Sequence, residues 1–280
     1  MQRPFTCLIS AQELAESTTP SWRIFDCRFR LADPGFGKRA YAEGHLPGAM
    51  FLDLEEDLSG PVSGLNGRHP LPDPQLLAAK LGSLGVGPDT QVVAYDDMGG
   101  MFAARLWWLL RWLGHSRVAV LDGGLQAWAS SGKPIDTAIP EPVACHFEAK
   151  LQRDMKVNAD YVLSHLDDPE VLIIDARAPD RFRGENETLD PVGGHIPGAI
   201  NIPHRTMNAE TTSAIDRAST VVTYCDGIGC NASTKGAYNM ARLGFKVKEL
   251  IGGLDWWKRD GHPTEGGAAC ASTGASCGCS

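Results

Sequence analysis

Apolar positions in this chain gather into short β-branched or apolar runs bounded by turn residues, with longer helix-patterned stretches between them. Residues 22–26, 91–95 and 117–121 form one set of such runs, and 171–175, 220–224 and 247–250 form another. Runs of this length and composition read as strands. Helical patterns fill the intervals. One starts near Pro74, after Asp73, a residue able to cap it. A second covers about 102–113 and stops at Gly114, glycine being the residue that closes a helix in the left-handed conformation. In the second half helices start near the cap residues Asn158 and Asn231, and the latter helix stops at Gly244. Strands alternating with helices predict an α/β fold with mostly parallel sheets flanked by helices.

The two sets are copies of one unit. Ile24-Phe25-Asp26-Cys27-Arg28 matches Ile173-Ile174-Asp175-Ala176-Arg177 at an offset of 149, and Gly44-His45-Leu46-Pro47-Gly48-Ala49 matches Gly194-His195-Ile196-Pro197-Gly198-Ala199 at 150. Val92-Val93-Ala94-Tyr95-Asp96 matches Val221-Val222-Thr223-Tyr224-Cys225, and Gly123-Gly124-Leu125 with Trp128 matches Gly252-Gly253-Leu254 with Trp257, both at 129. The step in offset means that the second copy lacks a segment of about 21 residues that the first fills around 73–84. The expected organisation is a first domain at 1–135, a Pro- and charge-rich linker at 136–156 and a second domain at 157–265. The tail, 266–280, contains only Gly, Ala, Ser, Thr and Cys and reads as unpacked and mobile.

Composition narrows the function classes. The chain has 280 residues, 43% hydrophobic and 21% charged, and a formal net charge of −8. A globular protein follows, and the acidic balance argues against nucleic-acid or anionic-membrane partners. No apolar run reaches the length of a membrane span, and the first ten residues lack a signal peptide's apolar core and cleavage site. A cytoplasmic location is therefore expected, with the eight cysteines mostly reduced and no disulfide framework.

The candidate chemistry lies in Tyr224-Cys225-Asp226-Gly227-Ile228-Gly229-Cys230-Asn231. A strand leads into Cys225 and a helix begins just after Cys230, so Cys225 sits at the carboxyl end of a strand, where open α/β sheets bind ligands. A tight loop feeding a helix N-terminus turns backbone N–H groups inward with positive partial charge. That field favours a thiolate and makes Cys225 a nucleophile near neutral pH. Gly227 and Gly229 let the backbone curl around the sulfur.

With those motifs in hand, the chain resembles the tandem-domain rhodanese family of thiosulfate and 3-mercaptopyruvate sulfurtransferases from about Ser10 to Glu265. The resemblance rests on the paired Gly-His-x-Pro-Gly-Ala motifs, the segment 175–184, the Tyr-Cys loop and the two Gly-Gly-Leu pieces. It implies two rhodanese-like domains. The first is catalytically silent, with Asp96 in the nucleophile's place. In the second, Cys225 carries sulfane sulfur as a persulfide between a small-molecule donor and a thiol or cyanide acceptor. It also implies that Arg181 binds the donor's anionic group, and that Glu55 and His69 are a candidate proton relay from the silent domain. A second arginine of the mercaptopyruvate enzymes aligns with Asp190. No cofactor and no metal are implied.

Asp226 beside the nucleophile fits neither the basic loops of thiosulfate enzymes nor the neutral loops of mercaptopyruvate enzymes. Its negative charge is expected to disfavour dianionic thiosulfate against a monoanionic donor such as 3-mercaptopyruvate, with Arg181 offsetting part of the repulsion for either donor. Cys230, five positions beyond Cys225, is close enough in chain length to attack a Cys225 persulfide and leave a disulfide for a thioredoxin-like reductant to reopen. Cys277 and Cys279 in the tail are alternative acceptor thiols. Two other readings stand beside the sulfurtransferase. A phosphatase or arsenate reductase would need Arg at the sixth position after the cysteine, where Asn231 stands. A non-enzymatic metal or sulfur carrier would use Cys225, Cys230, Cys277 and Cys279. His45 and His195 recur in both copies and are expected to fix turns. Trp107, Trp108 and Trp112 are expected to pack in the core and against the other domain, and Cys7, Cys27 and Cys145 to be structural.

Overall fold

The computed structural model describes residues 3–63, 67–185, 193–227 and 230–266. Ile228, Gly229, Asp190, Cys277 and Cys279 therefore lie outside the described residues. The first lobe runs β1 (Leu8–Ile9), α1 (Ala11–Ser17), β2 (Arg23–Asp26), α2 (Phe36–Glu43), β3 (Ala49–Phe51), α3 (Pro74–Ser83), β4 (Val92–Tyr95), α4 (Ala103–Trp112), β5 (Val118–Leu121) and α5 (Gly124–Ser130). The second runs from a 3-10 turn (Arg153–Met155) through β6 (Lys156–Val157), α6 (Ala159–Ser164), β7 (Val171–Asp175), α7 (Pro179–Phe182), β8 (Ile200–Asn201), β9 (Thr220–Tyr224), α8 (Asn231–Arg242), β10 (Lys246–Leu250) and α9 (Gly253–Arg259). Each lobe holds a five-stranded parallel sheet. The orders are β1-β5-β4-β2-β3 and β6-β10-β9-β7-β8, so the two copies share one topology.

Local chemistry explains the boundaries. The Asp73 carboxylate accepts the N–H groups of Gln75 and Leu76 to cap α3, and the Asn158 side chain accepts from Tyr161 to cap α6. Asn231 differs from expectation: it is the first helical residue of α8, and Cys230 occupies the cap position without capping through its side chain. The two-residue edge strands β1 and β6 carry too little pattern to be read in advance. The chain after the linker therefore joins the second sheet at Lys156. Before that the linker is pinned to the first lobe, with the N–H groups of Cys145, Lys150 and Gln152 donating to the carbonyls of Gly82, Leu113 and Trp112. Cys145 is exposed and Cys27 is buried. Helix α4 is apolar nearly all round and is covered on every side except at Arg111. It packs against α8, with Trp107 edge-on to Tyr238 at a centroid distance of 5.2 Å. The Tyr238 hydroxyl donates across the lobe boundary to the Cys7 carbonyl at 3.0 Å.

Beneath each loop lies the same buried network. Asp26 is fully buried and takes two side-chain nitrogens of Arg28 at 2.6–3.0 Å, while Tyr95 donates its hydroxyl to Asp26 at 2.8 Å. Arg28 also donates to the Gly44 carbonyl at 2.7 Å, and the Leu46 N–H donates to the Tyr95 oxygen at 3.2 Å. In the second lobe Asp175, Arg177 and Tyr224 repeat the arrangement on Gly194 and Ile196. Burial, with the neighbouring carboxylate, pushes both phenols far above their ordinary range, so they stay protonated donors. Removing one member strands a buried charge. Asp175→Ala is expected to cost about 3–5 kcal/mol, read as a lower urea midpoint for the second lobe, and an unchanged midpoint would contradict this account.

Candidate active site

Strand β9 ends at Tyr224, whose hydroxyl is tied into the buried network, and the next residue is Cys225, 3% exposed. The Gly252-Gly253 turn before α9 presses on its backbone. A Cβ at Gly253 would meet the Cys225 carbonyl oxygen at 2.6 Å and the Asp226 oxygen at 2.8 Å, and its φ is +55°. The N–H groups of Leu254 and Asp255 donate to those carbonyls at 3.0 and 2.6 Å. A Cβ at Gly227 would meet the Asp255 carboxylate at 2.0 Å, so the Asp255 side chain would have to move to admit one.

The silent lobe shows what such a loop holds. The buried Asp96 carboxylate accepts four backbone N–H groups: Met98 and Gly100 on Oδ1 at 2.8 Å, and Phe102 and Ala103 on Oδ2 at 2.8 and 2.9 Å. The loop is thus an anion cradle filled by its own side chain. By the offset of 129, Cys225 stands at Asp96, and Gly227, Asn231 and Ala232 stand at Met98, Phe102 and Ala103.

Arg181 comes to the loop on α7, but it does not face a donor alone. Its guanidinium meets the Asp226 carboxylate at 2.6 Å, and Arg177 approaches the other oxygen at 3.6 Å. The silent lobe repeats this with Arg30 on Asp97 at 2.7 Å, and Asp97 is the residue that corresponds to Asp226. Asp226 is therefore a partnered latch, and Arg181, the group expected to offset its charge toward a donor anion, is held on it. The chain separation of the pair, 45 residues, kept it out of sight in the sequence.

Cys225 and Cys230 are joined as a disulfide with a Cα–Cα separation of 6.2 Å. The other described cysteines, Cys7, Cys27 and Cys145, are free thiols. Among the described residues, Cys225, Asp226 and Cys230 are also a trio of metal donors within 4.8 Å of one another. Here the sulfurs are bonded to each other and the carboxylate to Arg181, so the donors are already committed.

A cleft of about 680 Å³ opens over the loop between the lobes. Phe29, Met98, Met101 and Phe102 give it an apolar wall from the silent lobe, and Arg181, Asp226, Gly227 and Cys230 face them. His69, 1% exposed, also lines it, with Nε2 3.6 Å from Glu55 and its ring edge-on to Phe29. The structure thus brings Glu55 and His69 together, with His69 the member that lines the cleft. Exposed Arg68 and Arg205 sit at its mouth. Sequence reading missed Arg205 and the apolar wall. The offset that pairs Met101 with Cys230 would have pointed to part of the wall.

His45 and His195 do not reach the loop. His45 bridges the Tyr41 and Ala138 carbonyls at 2.8 and 3.1 Å, and His195 binds the Phe182 carbonyl at 2.8 Å while stacking on Phe182.

A duplicated parallel α/β unit, with a cysteine on one anion-cradling loop and an aspartate on the other, defines a two-lobed protein with one thiol centre. The chain belongs to the rhodanese family, whose rhodanese-like domain matches residues 10–131 and 158–260. It is 49% identical over 195 residues to a Pseudomonas aeruginosa protein named "Probable 3-mercaptopyruvate sulfurtransferase", covering 69% of each chain. It is 34% identical over 226 residues to bovine thiosulfate sulfurtransferase, covering 76% of this chain and 74% of that one. Among solved structures it is similar to the 3-mercaptopyruvate sulfurtransferase of Leishmania major, with a TM-score of 0.75 and 25% identity over 92% of this chain and 75% of the other. No described helix is long and apolar enough to cross a membrane.

The close approach of Gly253 to the nucleophile's carbonyl is directly testable. Gly253→Ala is expected to leave the far-ultraviolet circular dichroism unchanged, lower stability by about 1–3 kcal/mol, and slow alkylation of reduced Cys225. Wild-type alkylation kinetics in the variant would show that the contact does not set the loop.

Proposed function

We propose that this chain is a sulfurtransferase in which Cys225 takes sulfur from a small donor bearing an anionic group, thiosulfate or 3-mercaptopyruvate, and passes it to a thiol or to cyanide. The observation that carries this reading is the cradle. One loop holds the Asp96 carboxylate on four N–H groups, and its copy puts a cysteine in the same place ahead of α8. A thiolate there is favoured by the helix N-terminus, and N–H groups that bind two carboxylate oxygens suit the terminal sulfur of a persulfide equally well. The Cys225 thiolate attacks the transferable sulfur. The bond from that sulfur to the donor breaks, and its electron pair leaves with sulfite or with the enolate of pyruvate. In this reading His69, on the opposite wall and paired with Glu55, returns a proton to the enolate; its support is the His69–Glu55 approach of 3.6 Å. Names of relatives include both donors, and the cleft favours neither.

Cys225→Ser is expected to abolish release of pyruvate or sulfite and the gain of one sulfur by intact mass. Turnover by that variant would refute the assignment. Asp96→Ala is expected to leave turnover per folded chain within about threefold, while the loss of an acceptor for buried N–H groups lowers the stability of the silent lobe by about 1–3 kcal/mol.

The Arg181–Asp226 pair makes a separate prediction. A donor anion must compete with Asp226 for Arg181, so Asp226→Ala is expected to lower KM for anionic donors by about tenfold, the worth of one charge-assisted hydrogen bond. Thiosulfate should gain more than 3-mercaptopyruvate. A raised KM in initial-rate measurements would mean that Asp226 itself positions the donor.

A further inference from the structure

Resting on the sulfurtransferase reading, we propose that Cys230 is the resolving thiol of this centre, so that the chain runs a dithiol–disulfide cycle that releases sulfide and is reset by an external dithiol attacking Cys230.

Four observations converge on this role. The Cys225 and Cys230 sulfurs are already bonded, and their Cα–Cα separation of 6.2 Å lies in the ordinary range for disulfides, so the loop accommodates the bond as it stands. Cys230 occupies the cap position of α8 but makes no capping hydrogen bond, which leaves its sulfur available for chemistry rather than for holding the helix. The silent lobe has Met101 at the corresponding position, so the second thiol belongs to the catalytic copy and is not part of the repeated scaffold. Finally, the sulfurs differ in access: Cys230 lines the cleft, while Cys225 lies beneath it at 3% exposure.

The cycle balances. After loading, the Cys230 thiolate attacks the inner sulfur of the Cys225 persulfide. The Cys230–Cys225 bond forms, the bond to the terminal sulfur breaks, and hydrosulfide leaves with its electron pair. The sulfane sulfur is reduced to sulfide and the two cysteines are oxidised. An external dithiol then attacks the Cys230 sulfur, because Cys230 lines the cleft and Cys225 lies beneath it, and expels the Cys225 thiolate. The second thiol of the reductant closes its own disulfide and frees Cys230. Until then the oxidised loop buries the nucleophile and cannot be loaded.

The experiment uses the full, fully reduced chain and one equivalent of 3-mercaptopyruvate, or of thiosulfate, without added thiol. Wild type is expected to release close to one equivalent of sulfide and to end lighter by its two thiol hydrogens. Peptide mapping should place the new bond between Cys225 and Cys230. Cys230→Ser, with Cys230→Ala as a second variant, should instead retain one added sulfur and release sulfide at least about tenfold more slowly. The inference is overturned if wild type keeps the added sulfur with Cys230 free, if the variants release sulfide as fast as wild type, or if the bond forms to Cys277 or Cys279. Failure of every form to gain sulfur or release donor product would instead overturn the sulfurtransferase reading, and this inference with it. Limiting 2-mercaptoethanol on the oxidised chain, quenched in acid, should leave its adduct on Cys230. An adduct on Cys225 would overturn the proposed order of attack.

Discussion

In each lobe a carboxylate sits at the end of the strand beside the loop strand, out of contact with water, and the surrounding architecture follows from the need to satisfy it. Asp26 and Asp175 are fully buried. An isolated charge there would be prohibitive, so each is met by an arginine two residues on and by a tyrosine from the neighbouring strand. The tyrosine is the residue immediately before Asp96 or Cys225, and the arginine reaches on to the Gly-His turn. One network therefore fixes three things together: the register of the central strands, the path of the turn that follows, and the point where the loop leaves the sheet. The loop can be rich in glycine because its origin is clamped.

On this clamp the two lobes carry near-identical devices with different contents. Both have a glycine pair whose second member packs on the backbone of the loop's first residue, at Gly124 on Asp96 and at Gly253 on Cys225. Both latch the next residue with an arginine, as Arg30–Asp97 and Arg181–Asp226. The aspartate of the first lobe's loop uses the inward N–H groups for itself. The matching position of the other loop holds Cys225 in its place. The first lobe then contributes what a single copy could not: an apolar face from Phe29, Met98, Met101 and Phe102, and His69, which lines the cleft with Glu55 3.6 Å from its Nε2.

Duplication also explains why so much was legible before the fold was seen. The repeat showed which residues belong to the scaffold and which differ between copies. It singled out Cys225 against Asp96, and it marked His45 and His195 as recurring in a copy with no nucleophile. The strand runs and most helix ends were also readable, because capping by Asp73 and Asn158 and stopping at Gly114 and Gly244 are decided within a few residues of chain. The short edge strands were not, since two residues carry no period and exist only through their partners in β5 and β10.

By itself, then, the sequence determined a duplicated parallel α/β architecture and singled out Cys225 against Asp96 at the matching loop position, because each depends on local pattern or on comparison of the chain with itself. Tertiary structure alone decided the rest. The charge of Asp226 is answered by Arg181, which is remote in sequence, and no pattern of neighbours announces an ion pair made across a fold. The cleft wall is built from a loop of the other lobe, and Arg205 reaches its mouth only because β8 lies at the sheet edge beside β7. Cys230 lines the cleft and Cys225 is buried, a distinction that the spacing of the two cysteines does not announce.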